Sequence, residues 1–220
     1  MAAEGISAIV MGGSGAVGKE LLASLIRSPR YKSITSIGRR QIDLDDSSSK
    51  VKQVVVDVSK LSEHKDVFNS HDVAFCTFGT TRKDAGSAAA FQRIDRDYVL
   101  DFARLAKEAG IKNMHYVSSM GANKNSWFLY PKTKGEIEES LKEMEFDRLI
   151  IYRPGFLNRG GAARTVEKIA QFVMPSIPVS VVGAAICHLG QKITIDGTEV
   201  ITITNEGIQE AAKKETEDKQ

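Results

Sequence analysis

The chain is poor in the residues that cross-link or ligate: its 220 residues include two cysteines, four histidines, one tryptophan and five prolines. Cys76 and Cys187 lie far apart and belong to no CxxC, so neither a disulfide framework nor a dithiol motif is expected. Cys76 sits in an apolar run and reads as a buried thiol, which suits a reducing compartment. The histidines form no HExxH or similar cluster, so no metal site is expected. The most apolar late stretch, Phe172 to Leu189, is interrupted by Pro175, Pro178 and His188 and does not read as a membrane span. The net charge is only +2 and no basic tract stands out, which argues against nucleic acid as a partner. The N-terminus has no basic region ahead of an apolar run, and that run is needed as a first strand, so neither a signal peptide nor an N-terminal extension is expected. The expectation is a soluble cytoplasmic protein, with the nucleus and a mitochondrial surface left open. The length suits one domain around one core.

What the chain does have is alternation. Apolar strand-like runs are expected at Ser7–Met11, Ser33–Ile37, Val51–Val56, Val73–Phe78, Met114–Val117, Leu149–Tyr152 and Val200–Thr204. Helical patterns are expected at Ala16–Arg27, Leu61–Asn69, Phe91–Ala109, Pro131–Met144, Ala163–Val173, Val181–Leu189 and Ile208–Lys214. Gly110 stops the third of these as a C-cap. The polar stretch Asp43–Lys50 reads as a surface loop. Strands alternating with helices predict an α/β fold, a doubly wound parallel sheet covered on both faces. Residues 1–220 are expected to form one Rossmann-type domain. A small substrate-side cap is expected at 156–198 and a frayed tail at 215–220.

In such sheets ligands bind beyond the carboxyl ends of the strands. After the first strand comes Gly12-Gly13-Ser14-Gly15-Ala16-Val17-Gly18, spaced GxxGxxG and opening a helix. Glycine lets the backbone approach a pyrophosphate, and the helix N-terminus adds partial positive charge. The second strand ends in Arg39-Arg40, where an NAD site would carry an acid roughly 20 residues beyond the glycine turn. A guanidinium fork matches the 2′-phosphate of NADP; a plain basic corner is the other reading. Asp57-Val58, after the third strand, either borders an adenine or forms an ordinary turn. Arg153-Pro154-Gly155, after the sixth, either presents backbone groups to the nicotinamide amide or is only a turn; Leu157 just beyond joins the same candidate set.

Ser118 and Ser119 end the fifth strand, with Tyr130 and Lys134 beyond them in a YxxxK spacing. Of the five tyrosines only Tyr130 has a lysine at that offset, and residues four apart share a helix face. Reduction of a carbonyl by hydride requires a proton delivered to the developing oxyanion. A phenol with pKa about 10 is a poor acid or base at neutral pH, and a neighbouring ammonium stabilises its ionised form. A serine hydroxyl holds the substrate oxygen.

These motifs resemble the short-chain dehydrogenase/reductase superfamily in its atypical branch, and within it the group of the HIV Tat-interactive protein and its fungal mitochondrial relatives. The resemblance rests on Gly12–Gly18, Ser36–Arg40, Phe75–Arg82, Arg93–Leu100, Ser118–Ala122, Phe128–Glu138 and Phe146–Leu157. It implies an NADPH-dependent oxidoreductase acting on a small molecule. Tyr130 would be the general acid/base, Lys134 would bind the nicotinamide ribose, and Ser118 or Ser119 would orient the substrate. Gly12, Ser14, Gly15, Ala16, Val17 and Gly18 would hold the pyrophosphate, Arg39 and Arg40 the 2′-phosphate, and Gly79, Thr80 and Thr81 the ribose side. The alternative is a regulatory protein that senses NADPH and binds other proteins with little turnover; a homodimer through a helix face is also compatible. Three departures stand out. Pro131 follows Tyr130 and disfavours helical angles there, which places Tyr130 at the N-cap. Asp95 stands where the wider superfamily often has a relay asparagine. The segment after Gly155 is short, which leaves an open cleft.

Overall fold

The computed structural model describes residues 5–45, 49–80, 85–158, 176–193 and 197–217. Its seven-stranded sheet runs in the order β3-β2-β1-β4-β5-β6-β9, every neighbouring pair parallel. The strands are β1 (Ile6–Met11), β2 (Tyr31–Gly38), β3 (Val51–Val55), β4 (Val73–Cys76), β5 (Asn113–Val117), β6 (Arg148–Tyr152) and β9 (Glu199–Ile203). Two short strands, β7 (Phe156–Asn158) and β8 (Ser176–Pro178), pair separately. Helices α1 (Ala16–Arg27), α2 (Ala88–Gln92), α3 (Tyr98–Glu108), α4 (Leu129–Glu143), α5 (Val179–Leu189) and α6 (Asn205–Glu217) complete the single domain.

Side-chain alternation divides the strands between two cores, because successive Cβ atoms of a strand point to opposite faces. Ile9 and Met11 of β1, Ala74 and Cys76 of β4, and Leu149 and Ile151 of β6 pack with Val99, Phe102, Ile137 and Leu141 of α3 and α4. Ala8, Val10, Val73, Phe75, Ile150 and Tyr152 face the other way, toward Leu21 and Leu25 of α1 and Val182, Ala185 and Ile186 of α5. This is why β1 is buried along its whole length: strands covered on both faces read as continuous apolar runs.

Several boundaries differ from the expectation. Residues 58–68 form a 3₁₀ segment kinked at Lys60 and His64 instead of an α-helix. The helix expected at Phe91–Ala109 begins earlier, at Ala88, and passes through a π turn at Arg93–Asp97 between α2 and α3. β4 ends at Cys76, and Thr77 continues only as a single amide bond to the Met11 carbonyl. Tyr130 lies inside the first turn of α4, not at its N-cap, which is Phe128. Pro131 is tolerated there because the first amides of a helix have no intrahelical partner to lose. The tail expected to fray from 215 instead continues α6 to Glu217, and Glu215 is buried against Cys187 and Gln191. Within the expected cap, α5 is part of the layer covering the sheet; the helix expected at 163–173 lies outside the described residues. Among the described residues no helix is long and apolar enough to cross a membrane, and no group of three metal-ligating side chains is present. Neither cysteine forms a disulfide.

Helices α1 and α5 meet at Gly183, where a Cβ would lie 2.7 Å from the backbone carbon of Glu20. Gly183→Ala is therefore expected to push the helices apart and cost about 2 kcal/mol. A calorimetric melt should show the midpoint falling by roughly 4–8 °C. At Gly38, where a Cβ meets nothing within 4 Å, the same change should leave the melt unmoved.

Candidate active site

Parallel strands end together, so the residues after β1, β2, β4, β5 and β6 converge on one edge of the sheet. At the first of these, Gly12 has φ +94° and a Cβ there would lie 2.5 Å from the Phe78 amide nitrogen. A Cβ on Gly18 would lie 2.1 Å from the Gly12 carbonyl oxygen. These two glycines bring the β1–α1 turn tight against its own helix and against the chain leaving β4. Gly13, absent from the residues singled out by spacing, is as constrained: its Cβ would press on Leu22 and the Ser36 hydroxyl.

Gly15 is the N-cap of α1; no side chain caps the helix and no acid stands in its first turn. The amides of Ala16, Val17 and Gly18 thus face the edge as unused donors, with the helix dipole behind them. Ser14 and Gly15 are exposed there, whereas the Val17 side chain is buried in the core. Gly38 has open space above it. Arg39 and Arg40 next to it are exposed and make no ion pair among the described residues. This set fits a dinucleotide: free donors and a cradle without side chains, with two guanidinium groups beside it that make no ion pair among the described residues. Asp57 is engaged otherwise. Its carboxylate caps the 3₁₀ segment, accepting from the Ser59 amide at 3.0 Å and hydroxyl at 2.7 Å; these bonds hold its carboxyl below the usual range. The Val58 side chain points into the core, so only backbone is left at that position to border an adenine.

Beyond β5 the two serines separate. Ser118 is buried and donates to Oε1 of Glu138, itself 1% exposed. Both carboxylate oxygens of Glu138 also accept from Arg153, the Nε bond being 3.0 Å. The Ser118 hydroxyl and the Arg153 guanidinium are thereby tied to each other through Glu138. Ser119 remains half-exposed, its hydroxyl donating weakly to the Met120 carbonyl at 3.2 Å. After β6, the Gly155 amide donates to Asn205 Oδ1 at 2.7 Å. Leu157 lies on β7 beside Ile177 and packs toward the core. The amides of Arg153 and Gly155 and the Arg153 guanidinium are thus already engaged within the protein. Thr81 lies outside the described residues.

Tyr130 is 44% exposed at the start of α4, its ring 6.0 Å from that of Phe91. One turn on, Lys134 is only 4% exposed. Its ammonium lies 2.9 Å from Oδ2 of the fully buried Asp95 and donates to the Tyr116 hydroxyl at 3.1 Å. Burial pulls the Lys134 pKa down, but Tyr116, Asp95 and Tyr130 together hold it well above its ordinary value. Tyr116 moves the other way from the usual phenol: burial, only partly offset by Lys134, pushes it up. Asp95 also accepts from the Thr80 amide at 2.6 Å through Oδ1. Gly79 closes over this pair, its Cβ position being 3.0 Å from Asp95 Oδ1 and 3.5 Å from Lys134 Nζ. Motif spacing pointed to Lys134 but to neither Tyr116 nor Glu138. A signal existed for Glu138: with Lys134, Ile137 and Leu141 it occupies the buried stripe of α4, an unusual place for a charge.

A family profile described as NAD(P)H-binding matches residues 12–191. The chain belongs to this NAD(P)H-binding family. It is 46% identical to protein HTATIP2 of Rattus norvegicus over 152 residues, covering 69% of this chain and 62% of the rat protein. The chain thus spans less than two thirds of that relative. Over 215 residues it is 33% identical to protein FMP52-1, mitochondrial, of Scheffersomyces stipitis, covering 95% of this chain and 91% of the yeast protein. Among solved structures, the oxidoreductase ylbE from Lactococcus lactis superposes with TM-score 0.71 at 22% identity, covering 96% of this chain and 97% of that one. MoeE5 in complex with UDP-glucose and NAD superposes with TM-score 0.73 at 15% identity, covering 96% and 81%. Identities this low speak for the fold. The relatives correct the cytoplasmic expectation: the fungal proteins, from Candida albicans and Debaryomyces hansenii among others, are named mitochondrial. Cysteine content and apolar patterning do not report a compartment.

The two serines should separate in a mutational test. Ser118→Ala leaves a buried carboxylate one donor short and should lower stability by about 1–2 kcal/mol in urea unfolding. Ser119→Ala should leave the unfolding curve within about 0.5 kcal/mol of the parent.

Proposed function

We propose that the chain is an NADPH-dependent oxidoreductase that reduces a carbonyl group on a small molecule. One observation carries the reading: an accessible phenol, Tyr130, stands one helical turn before a buried, charged lysine, on the edge that also presents the uncapped amides of α1. The α1 amides and the glycine turn would hold the pyrophosphate, and Arg39 and Arg40 the 2′-phosphate. Lys134 would face the nicotinamide ribose. The cofactor, when bound, supplies a hydride. Ser119, the accessible serine, would donate a hydrogen bond to the substrate oxygen and hold it for attack. The Tyr130 hydroxyl would then give its proton to the oxyanion, with the Lys134 charge stabilising the phenolate left behind.

A second reading, an NADPH-sensing protein that binds other proteins with little turnover, is favoured by one feature. The Lys134 ammonium is already engaged by Asp95 and Tyr116.

Turnover separates the two. Tyr130→Phe should lower NADPH oxidation by roughly 100-fold or more while NADPH affinity stays within about twofold, the phenol making no bond that holds the ground-state cofactor. A panel of aldehydes, ketones and quinones that oxidises no NADPH above background would favour the sensor. Cofactor choice is a separate measurement. By calorimetry, Arg39→Ala with Arg40→Ala should weaken NADPH at least ~10-fold, two charge-assisted contacts being lost, with NADH affected far less. Equal weakening of both would rule out a 2′-phosphate role.

A further inference from the structure

Asp95 is the one carboxylate in the described structure that touches both halves of the candidate site. It sits on the π turn between α2 and α3 and is completely buried. Its two oxygens point to different elements: Oδ1 accepts from the Thr80 amide, in the loop after β4, at 2.6 Å, and Oδ2 lies 2.9 Å from the Lys134 ammonium on α4. Gly79 leaves the carboxylate room, since any side chain there would press on Oδ1. The groups around the pair are few. Tyr116 on β5 bonds the ammonium, Tyr130 stands one turn back on α4, and Cys76 on β4 adds a thiol that burial pushes up to about 12. Among the described residues Asp95 is therefore the one negative charge beside Lys134. An ammonium this buried loses its proton readily without such a partner, since burial alone lowers a lysine by up to 3–5 pH units.

We propose that Asp95 is a positioning residue: it keeps the Lys134 side chain cationic and in place, and through the Thr80 amide it ties the loop after β4 to that same lysine. The cofactor-side loop and the group that supports the phenol are then held as one unit. The proposal rests on the reading of Tyr130 and Lys134 as the reacting pair. The chemistry of the carboxylate makes it testable. A carboxylate offers two acceptors and a negative charge, whereas an amide has one acceptor oxygen and no charge. In Asp95→Asn one of the two contacts must be given up, with little change of shape.

The experiment follows the ε-methylene resonance of Lys134 by NMR in ¹³C-lysine-labelled full-length protein, assigned by its loss in Lys134→Met. In the parent protein the resonance should titrate above the range of an ordinary lysine. In Asp95→Asn its midpoint should fall by roughly two pH units or more. NADPH affinity, measured by calorimetry, should weaken about 10-fold, more so above the new midpoint than below it. A residue with only a packing role would lower the melting temperature and leave the lysine midpoint where it was. An unmoved midpoint with unchanged NADPH affinity would overturn the proposal. Should Asp95→Asn fail to fold, Asp95→Asn with Lys134→Met removes both charges and leaves no buried ion unpaired. That pair should be more stable than Lys134→Met alone, and equal or lower stability would equally overturn the role. Failure of the wider reading looks different. The parent protein would then bind no NADPH, while the lysine titration would still report whether Asp95 is its counter-ion.

Discussion

A sheet whose strands all run one way can bury itself only if every connection crosses over and returns to the same end. That constraint governs the rest of this molecule. It makes β1 and its neighbours apolar on both faces, and it places a helix layer on each side. It also delivers the ends of β2, β1, β4, β5 and β6 to one edge, the edge on which the start of α1 follows β1 and Arg39-Arg40 follow β2. Gly12 is brought against the chain leaving β4 in this way, a Cβ there lying 2.5 Å from the Phe78 amide nitrogen.

The same edge holds most of the buried charge in the described structure. Two clusters account for it: Asp95 with Lys134 and Tyr116, and Glu138 with Ser118 and Arg153. Burying ions costs several kcal/mol each before their attraction is counted, so such pairs add little net stability, although losing one partner costs about 3–5 kcal/mol. What they provide is a fixed geometry. Each cluster binds α4 to a strand end or to the loop after β4, so the helix that carries Tyr130 is anchored on its inner face while Tyr130 itself remains exposed.

The architecture was readable because parallel strands leave a strong signature. The runs at Ile6–Met11, broken only by Ser7, and at Leu149–Tyr152 are apolar, and turn residues separate them. The glycine turn and the Tyr130–Lys134 spacing were equally legible, since both are local patterns. Whatever depended on a distant partner was not. Nothing near Ser118 reveals that it is bonded to Glu138 twenty residues on, nor that Arg153 is turned the same way. Val58 and Leu157 looked available only because a strand end says nothing about which face the next side chain takes. Tyr130 inside the helix overrides the backbone preference before proline, as packing of Gly135 against Asn123 and Lys124 holds the first turns of α4 in place.

The π turn at Arg93–Asp97 has its own consequence. Phe91, Asp95, Val99 and Ala103 all point inward at intervals of four, wider than the 3.6 residues of a regular turn. The slack of that wider coil is what lets one side of the helix serve two neighbours, an aromatic ring toward α4 and a carboxylate beneath the loop after β4. Deleting a single residue there would not shorten the protein noticeably. It would rotate everything upstream by about 100° relative to α3, and the acid would swing out from under the lysine.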